Sequence, residues 1–394
     1  MRGKRHICVV TGSRAEYGLL RWLLEELRDD PRVELQLCVT GTHLSFAHGE
    51  TWRTIVDDGF TIDAKVEMQL ASDTGVGTAK SVGLGMTGFA DAFARLSPDI
   101  VVVLGDRFEV LAAAQTAMAL RTPIAHIHGG ESTEGLWDEA IRHAVTKMAH
   151  LHFVAADSFR DRVVQLGEDP TRIFVTGAPG VDATERVDIP DAERLERELG
   201  VSLQPFFLVT YHPVTLADGD PTIAVQELFA ALDRFPDHRV LVTGTNADAG
   251  GARIQTAMTR FAAARGSRVR VVDTLGQRRY LAAVRAAEAV VGNSSSGLIE
   301  APSLATPTVN LGDRQRGRLR ADSVVDAAEH VGDIEAALHE VLDPGFQAGI
   351  VGMVNPYGDG NASQRIAHLL VDQPLDGILM KRFHDLEVPS CAPS

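Results

Sequence analysis

Short apolar runs punctuate the chain, each closed by a turn signal and followed by a stretch of helical spacing. In the first half the runs Ile7 to Val10, Val33 to Val39, Ile100 to Leu104, Pro123 to Ile127 and Leu151 to Ala155 predict strands, with helices over 16–28 and 108–120 between them. The runs are almost continuously apolar rather than alternating, as a parallel sheet covered on both faces demands. The rhythm pauses between Ala178 and Gln204, where prolines, charges and a short helical pattern from Ala192 to Leu199 intervene. It restarts with Phe206 to Thr210, Arg239 to Thr243, Val269 to Val272, Ala289 to Val291 and Thr308 to Leu311. The expected fold class is α/β, two Rossmann-like domains with a cleft between them. Residues 1–178 form the first domain and 179–365 the second; the last helix, from about Ala362 to Val371, and a tail over 366–394 pack back toward the first. No internal repeat is evident.

Composition agrees with this and narrows the partners. With 394 residues, 45% hydrophobic and 23% charged, the chain has the profile of an ordinary globular protein of about two domains, which excludes disorder, collagen and coiled coil. Thirty-eight Lys and Arg against 53 Asp and Glu give a formal charge of −15, so neither nucleic acid nor an anionic membrane is expected as a partner. A small anionic ligand then needs a local pocket of arginines and backbone amides. Cys8, Cys38 and Cys391 are odd in number and lack zinc-site spacing, which points to a reducing cytoplasm. The apolar run behind the basic start is too short for a signal peptide, and no stretch approaches the roughly 18 residues of a membrane span.

Open α/β sheets bind ligands at the carboxyl ends of their strands, and the candidate motifs follow such strands. Thr11-Gly-Ser-Arg14-Ala-Glu-Tyr-Gly is either an anion site, with Arg14 as its fixed charge, or a plain strand-to-helix turn. Asp106 and Arg107 end the strongest apolar run, as a surface ion pair or as a catalytic carboxylate aimed by a buried strand. His126-Ile-His128-Gly-Gly-Glu131 ends the next one, and Asp138, Glu139, Arg142 and His143 follow on a helical stretch. Two histidines at i, i+2 raise a metal site, but no third ligand has sensible spacing, so no metal is expected. The cluster instead suits acid/base work, although one histidine of a strand sharing a face with the other can be a core residue.

In the second half Thr210-Tyr-His212, Thr243-Gly-Thr-Asn246 and Gly292-Asn-Ser294-Ser295-Ser each terminate a strand. The serines offer hydroxyls and amides to a phosphate or, alternatively, an N-cap; Glu300 suits a ribose diol. Arg314 leads a basic cluster with Arg316, Arg318 and Arg320, the one local reversal of the global charge. Gly75 to Gly85 looks like a dinucleotide loop but follows no strand, and is expected to be a mobile loop entering a helix, so NAD is not predicted.

Taken together, Val10-Thr-Gly-Ser-Arg-Ala-Glu-Tyr-Gly-Leu-Leu, Leu104-Gly-Asp-Arg-Phe-Glu, His126-Ile-His-Gly-Gly-Glu, Asp138-Glu-Ala-Ile-Arg-His-Ala-Val-Thr-Lys, Tyr211-His-Pro-Val-Thr and Gly292-Asn-Ser-Ser-Ser-Gly resemble the UDP-N-acetylglucosamine 2-epimerases. The similarity is greatest to the hydrolysing branch that feeds sialic-acid and related nonulosonic-acid synthesis. It implies a GT-B-like fold, a UDP-sugar substrate, no cofactor or metal, and a homodimer or dimer of dimers. It also implies elimination of UDP to a 2-acetamidoglucal, followed by hydration to the free 2-epimerised sugar. Carried over position by position, it makes Asp106 the catalytic aspartate, with Arg107 beside it, and Asp138 a second carboxylate near the sugar. Arg14, His212, Asn246, Ser294, Ser295, Glu300 and Arg314 fall on nucleotide-binding positions, which makes the second domain the nucleotide domain. Where the sialic-acid enzymes have Ile-Glu-Gly-Gly-Glu this chain has His128, so either His128 or Glu131 supplies one acid/base function. The same substitution is similar to the subgroup acting on 2,4-diacetamido-2,4,6-trideoxy sugars. The other readings are a non-hydrolysing epimerase, a GT-B glycosyltransferase and a non-catalytic nucleotide-sugar sensor.

Overall fold

The computed structural model describes residues 3–386 except 73, 135–136, 215–219, 221 and 246–250. The first apolar runs form β1 (Arg5–Thr11), β2 (Val33–Thr40), β3 (Ala64–Val66), β4 (Ile100–Leu104), β5 (Ile124–Ile127), β6 (Leu151–Val154) and β7 (Ile173–Val175). They make one parallel seven-stranded sheet in the order β3-β2-β1-β4-β5-β6-β7, with Ile7 of β1 paired to Leu35 on one side and Ile100 on the other. The chain begins mid-sheet, winds outward to β3, then returns to lay β4 against β1 and winds the other way. The order therefore reverses between β1 and β4, the place where such sheets open a crevice at their carboxyl ends.

The second set repeats the plan. β8 (Phe206–Thr210), β9 (Arg239–Thr243), β10 (Val269–Val272), β11 (Ala289–Gly292), β12 (Thr308–Leu311) and β13 (Val324–Ala327) form a parallel sheet in the order β10-β9-β8-β11-β12-β13, which reverses between β8 and β11. The structure is thus the α/β, twice-repeated Rossmann-like arrangement that the apolar runs predict.

Both faces of the first sheet are covered. On one, Leu20, Leu23, Leu24 and Leu27 of the helix Arg14–Asp29 meet Ile366 and Leu370 of the helix Ala362–Asp372. On the other, Phe89, Phe93, Ala113 and Ala117 pack under two further helices. Replacing a fully buried leucine here by alanine costs about 3 kcal/mol. Two compact units emerge: Met1–Glu131, Asp138–Pro179 and Asn361–Ser394 in the first, Ser132–Trp137 and Gly180–Gly360 in the second.

Two expectations change. Gly75 to Gly85 is not a mobile loop: Thr74 Oγ1 accepts from the Gly77 amide at 3.1 Å and starts a helix over Gly75–Leu96. Its glycines are there for close packing, since a Cβ at Gly85 would stand 2.7 Å from Met68 Cε and one at Gly88 2.7 Å from Val66 Cγ1. The edge strands β3, β7 and β13 escape the sequence pattern because they are three or four residues long and partly exposed, so they make no continuous apolar run. Among the described residues no helix is long and apolar enough to cross a membrane.

Candidate active site

In the first unit the loops after β1, β4 and β5 carry the chemistry. Gly105, at φ +78°, turns the chain out of β4 and presents Asp106. A fully buried arginine meets it: Arg142, from the helix Asp138–Met148, donates through Nη2 to Asp106 Oδ2. Its Nη1 donates to Glu139 Oε2 at 2.5 Å and to the Glu131 carbonyl at 3.0 Å. Burial alone would lower the Arg142 pKa, but the charges of Asp106, Glu131 and Glu139 more than offset it and keep the guanidinium protonated. Asp106 keeps 23% of its side chain exposed, against 1% for Arg142, so its partner is a buried cation and it retains an open edge.

Arg107 does not pair with Asp106, although the two are adjacent. It turns to Glu109, with Nε to Oε2 at 3.2 Å and Nη2 to Oε1 at 3.3 Å. The surface-pair reading of Asp106 and Arg107 is thereby overturned. Asp138 is half-buried in the first turn of the helix that carries Arg142.

The two histidines separate. His126 is wholly buried in β5, its Nε2–H donating to the Gly105 carbonyl at 2.8 Å and its Nδ1 lying 3.1 Å from Thr146 Oγ1. Burial pushes its pKa down to about 3, so it is a neutral core residue. β5 ends at Ile127, and His128 takes a left-handed backbone, φ +68°, so it leaves the face that an extended strand would share with His126. Its Nδ1 instead hydrogen-bonds Glu131 Oε1, with 10% of the His128 side chain exposed and 2% of the Glu131 side chain. Asp106, Arg142, Glu139, Glu131 and His128 thus form one linked set.

The β1 turn is less open than its glycine suggests. Ser13 Oγ caps the helix Arg14–Asp29 by accepting from the Glu16 amide at 3.3 Å, and the Gly12 amide donates to Glu16 Oε2 at 2.6 Å. That amide is committed within the protein and is not presented to an anion; Arg14 stands exposed at the first helical position. Glu16 is buried, and burial raises its pKa to about 8, with the Gly12 N–H opposing and the Glu109 charge adding to the rise.

In the second unit the ends of β8 and β11 meet. Asn293, fully buried, accepts from the His212 amide at 2.7 Å through Oδ1 and donates from Nδ2 to the His212 carbonyl at 2.8 Å. Its own carbonyl accepts from Arg314 Nη1 at 3.1 Å and Gln315 Nε2 at 2.8 Å. Desolvation, then the Arg314 charge, push the His212 pKa down to about 3, so the ring is neutral. Ser294 and Ser295 are half-buried, and Ser295 occupies the N-cap position of the helix Ser296–Ile299 without a side-chain capping bond, which removes the capping explanation for it. Half-buried Glu300 ends that helix. Of the basic cluster, Arg316 pairs with Glu134 at 3.2 Å and Arg320 with Asp326 at 3.0 Å. Asn246 and Cys391 lie outside the described residues.

Several residues escaped the sequence reading. Arg142 and Glu139 were visible only as flanking positions, though their i, i+3 spacing does place them on one helical face. Tyr280 carried no motif; its hydroxyl is buried beside Thr210, Ser294, Ser296 and Glu300. Among the described residues no group of three or more His, Cys, Asp or Glu is disposed to hold a metal ion.

The sequence model of the UDP-N-acetylglucosamine 2-epimerase family matches residues 25–371. The chain belongs to that family. Among its relatives, the GDP/UDP-N,N'-diacetylbacillosamine 2-epimerase (hydrolyzing) of Campylobacter jejuni is 36% identical over 385 residues, covering 97% of this chain and 100% of that one. A polysialic acid biosynthesis protein of Escherichia coli is 36% identical over 369 residues, covering 93% and 94%. The crystal structure of UDP-GlcNAc 2-epimerase from Neisseria meningitidis bound to UDP-GlcNAc superposes with a TM-score of 0.82 at 17% identity, covering 93% of this chain and 100% of that one. This epimerase-family chain therefore shares the GT-B-like fold of the solved epimerases.

Proposed function

We propose that this chain is a hydrolysing UDP-sugar 2-epimerase that converts the nucleotide sugar and water into UDP and the free 2-epimerised sugar. The observation that carries the reading is the first-unit set: an accessible carboxylate, Asp106, held by a fully buried guanidinium and linked through Glu131 to His128. The C2 hydrogen of such a sugar lies beside no carbonyl and is not acidic. The C1–O bond therefore breaks first, UDP leaving with the electron pair, and the C2 proton of the oxocarbenium-like species passes to a base to give the glycal. Water then adds at C1 while C2 is protonated on the opposite face, which inverts that centre.

Asp106 is the carboxylate facing the developing cation, and Arg142 holds it in place; Asp138 is the second carboxylate. His128 takes the proton-transfer role and Glu131 orients its ring, because the imidazole is the more exposed member of the pair and the carboxylate the buried one. Arg107 pairs with Glu109. In the second unit His212, Ser294, Ser295, Glu300 and Arg314 hold the nucleotide, with Arg314 as the cation for the diphosphate. Arg14 of the first unit and Asn246 complete the nucleotide positions on the strength of the family resemblance.

Within this reading the sugar is a 2,4-diacetamido-2,4,6-trideoxy sugar, supported by His128 and by the named substrate of the full-length Campylobacter relative. N-acetylglucosamine, the sugar in the family's name, is the second reading. Two buried free cysteines support a reducing, cytoplasmic setting, and a homodimer or dimer of dimers without nucleic-acid or membrane partners completes the proposal. The test is proton NMR of the products from UDP-GlcNAc and its 2,4-diacetamido relative in deuterated water. Free sugar deuterated at C2, with UDP, is expected. A sugar still linked to UDP would make the chain a non-hydrolysing epimerase, inertness until an acceptor is added a transferase, and tight binding without turnover a sensor.

A further inference from the structure

In the second sheet one side chain extends the β8–β11 ladder beyond its last paired residues, Thr210 and Gly292. Gly292 adopts φ +141°, and a Cβ there would stand 2.0 Å from the Thr210 carbonyl oxygen, so only glycine lets β11 end this close to β8. The approach brings the Asn293 amide to the Thr210 carbonyl at 3.2 Å. From there the Asn293 carboxamide lies along the His212 peptide as a neighbouring strand would, Oδ1 accepting from the His212 N–H at 2.7 Å and Nδ2 donating to its C=O at 2.8 Å. The Asn293 carbonyl, on the other side, accepts from Arg314 and Gln315. One residue, 0% exposed and so unable to touch a ligand broadly, thereby ties down through its side chain the peptide that carries the His212 ring just after β8, and through its own backbone carbonyl a guanidinium that follows β12.

We propose that Asn293 is the positioning residue of the nucleotide site, setting where the His212 ring and the Arg314 cation stand relative to each other and hence the affinity for a nucleoside diphosphate. The proposal rests on the reading that these residues bind UDP. It asks more of position 293 than packing, because the two hydrogen bonds to His212 need a donor and an acceptor on one planar group. Aspartate has the same shape and keeps an acceptor for the His212 amide, but offers no N–H and turns a charged oxygen toward the His212 carbonyl. A packing role would survive Asn293→Asp; a positioning role would not.

The experiment is calorimetric titration of the full chain with UDP, alongside kcat and KM for the UDP-sugar and a thermal melt of each protein. The variants are Asn293→Ala, Asn293→Asp and, as a control for lost stability, Thr306→Val. The Thr306 hydroxyl is buried and bonds the Val284 carbonyl at 3.0 Å, ahead of β12 and so at the strand end opposite the site. Expected are a UDP Kd raised about tenfold or more in both Asn293 variants, a KM raised in step, a kcat changed by less than about threefold, and wild-type binding in Thr306→Val. Wild-type affinity in Asn293→Asp, or equal weakening in Thr306→Val, would overturn the positioning role while leaving the nucleotide site in place. Failure of the unaltered chain to bind UDP would instead remove the reading beneath it.

Discussion

The two units use one plan, a parallel sheet wound in both directions with its working loops beyond the strands where the order reverses, yet they fill that place with opposite groups. The first assembles carboxylates around a buried cation: Asp106, Glu139 and the Glu131 carbonyl converge on Arg142, and Glu16 and Glu109 lie buried nearby. The second brings neutral groups, the His212 imidazole and the Asn293 carbonyl, to the cation Arg314, with the hydroxyls of Ser294 to Ser296 following on the same loop. Carboxylates in low dielectric have pKa values that move by units, which suits proton transfer. Hydroxyls and amides hold a ligand without titrating. The contrast teaches that a shared topology fixes where a site lies and leaves its chemistry to a few loop residues.

The sharpest way to break the contrast is Asp106→Asn, which keeps the shape and removes the charge. Turnover should fall about 1,000-fold while the UDP Kd stays within about twofold. Steady-state kinetics with calorimetry checks this, and undiminished turnover would mean the first unit does not house the chemistry. Next is His212→Ala in the second unit, for which a UDP Kd raised about tenfold, or about 1.4 kcal/mol, is expected, with kcat moving less. A collapse of kcat at unchanged Kd would erase the division of labour.

Acid should separate the units by stability. The folded pKa of His126, about 3, lies below the ordinary imidazole value of 6.5, as do those of His43 and His150, each about 4. Between those values the unfolded chain binds protons that the folded chain does not, so stability is lost as pH falls from 6.5, by about 2 kcal/mol for His126 at pH 5. All three belong to the first unit, against His212, also about 3, in the second, so the first unit should lose more stability in acid and melt first in a pH series followed by hydrogen exchange. Protection lost first from the second sheet would contradict the burial argument.

At Glu16 the sign reverses. Its folded pKa, raised to about 8 from 4.5, makes the folded chain keep a proton that the unfolded chain releases, so its contribution is present below pH 4.5 and lost as pH rises toward 8. Glu16→Gln keeps an acceptor for the Gly12 amide and should be more stable than the unaltered chain at pH 8 by up to about 4 kcal/mol. Coincident melting curves at pH 8 would show Glu16 ionised at no cost.

Much of this was legible in the sequence, and the reason is local. β4 and β8 are runs of apolar residues buried on both faces, and such runs, separated by helical spacing, admit few arrangements other than a parallel sheet. The motif positions follow for the same reason, since a buried strand must deliver what comes after it to the carboxyl edge. Which residues touch is a different matter. Asp106 and Arg107 are neighbours in sequence and turn to different partners, whereas Asp106 and Arg142 are 36 residues apart and meet. His126 and His128 share a face only if the strand continues, and it stops at Ile127. The role of Asn293 needs three strands side by side before its amide has a peptide to pair with. Sequence periodicity encodes burial, and burial fixed the two sheets and the family's motif positions; the hydrogen bonds and ion pairs that give those positions their chemistry depend on distances across strands and helices, which only the tertiary structure sets.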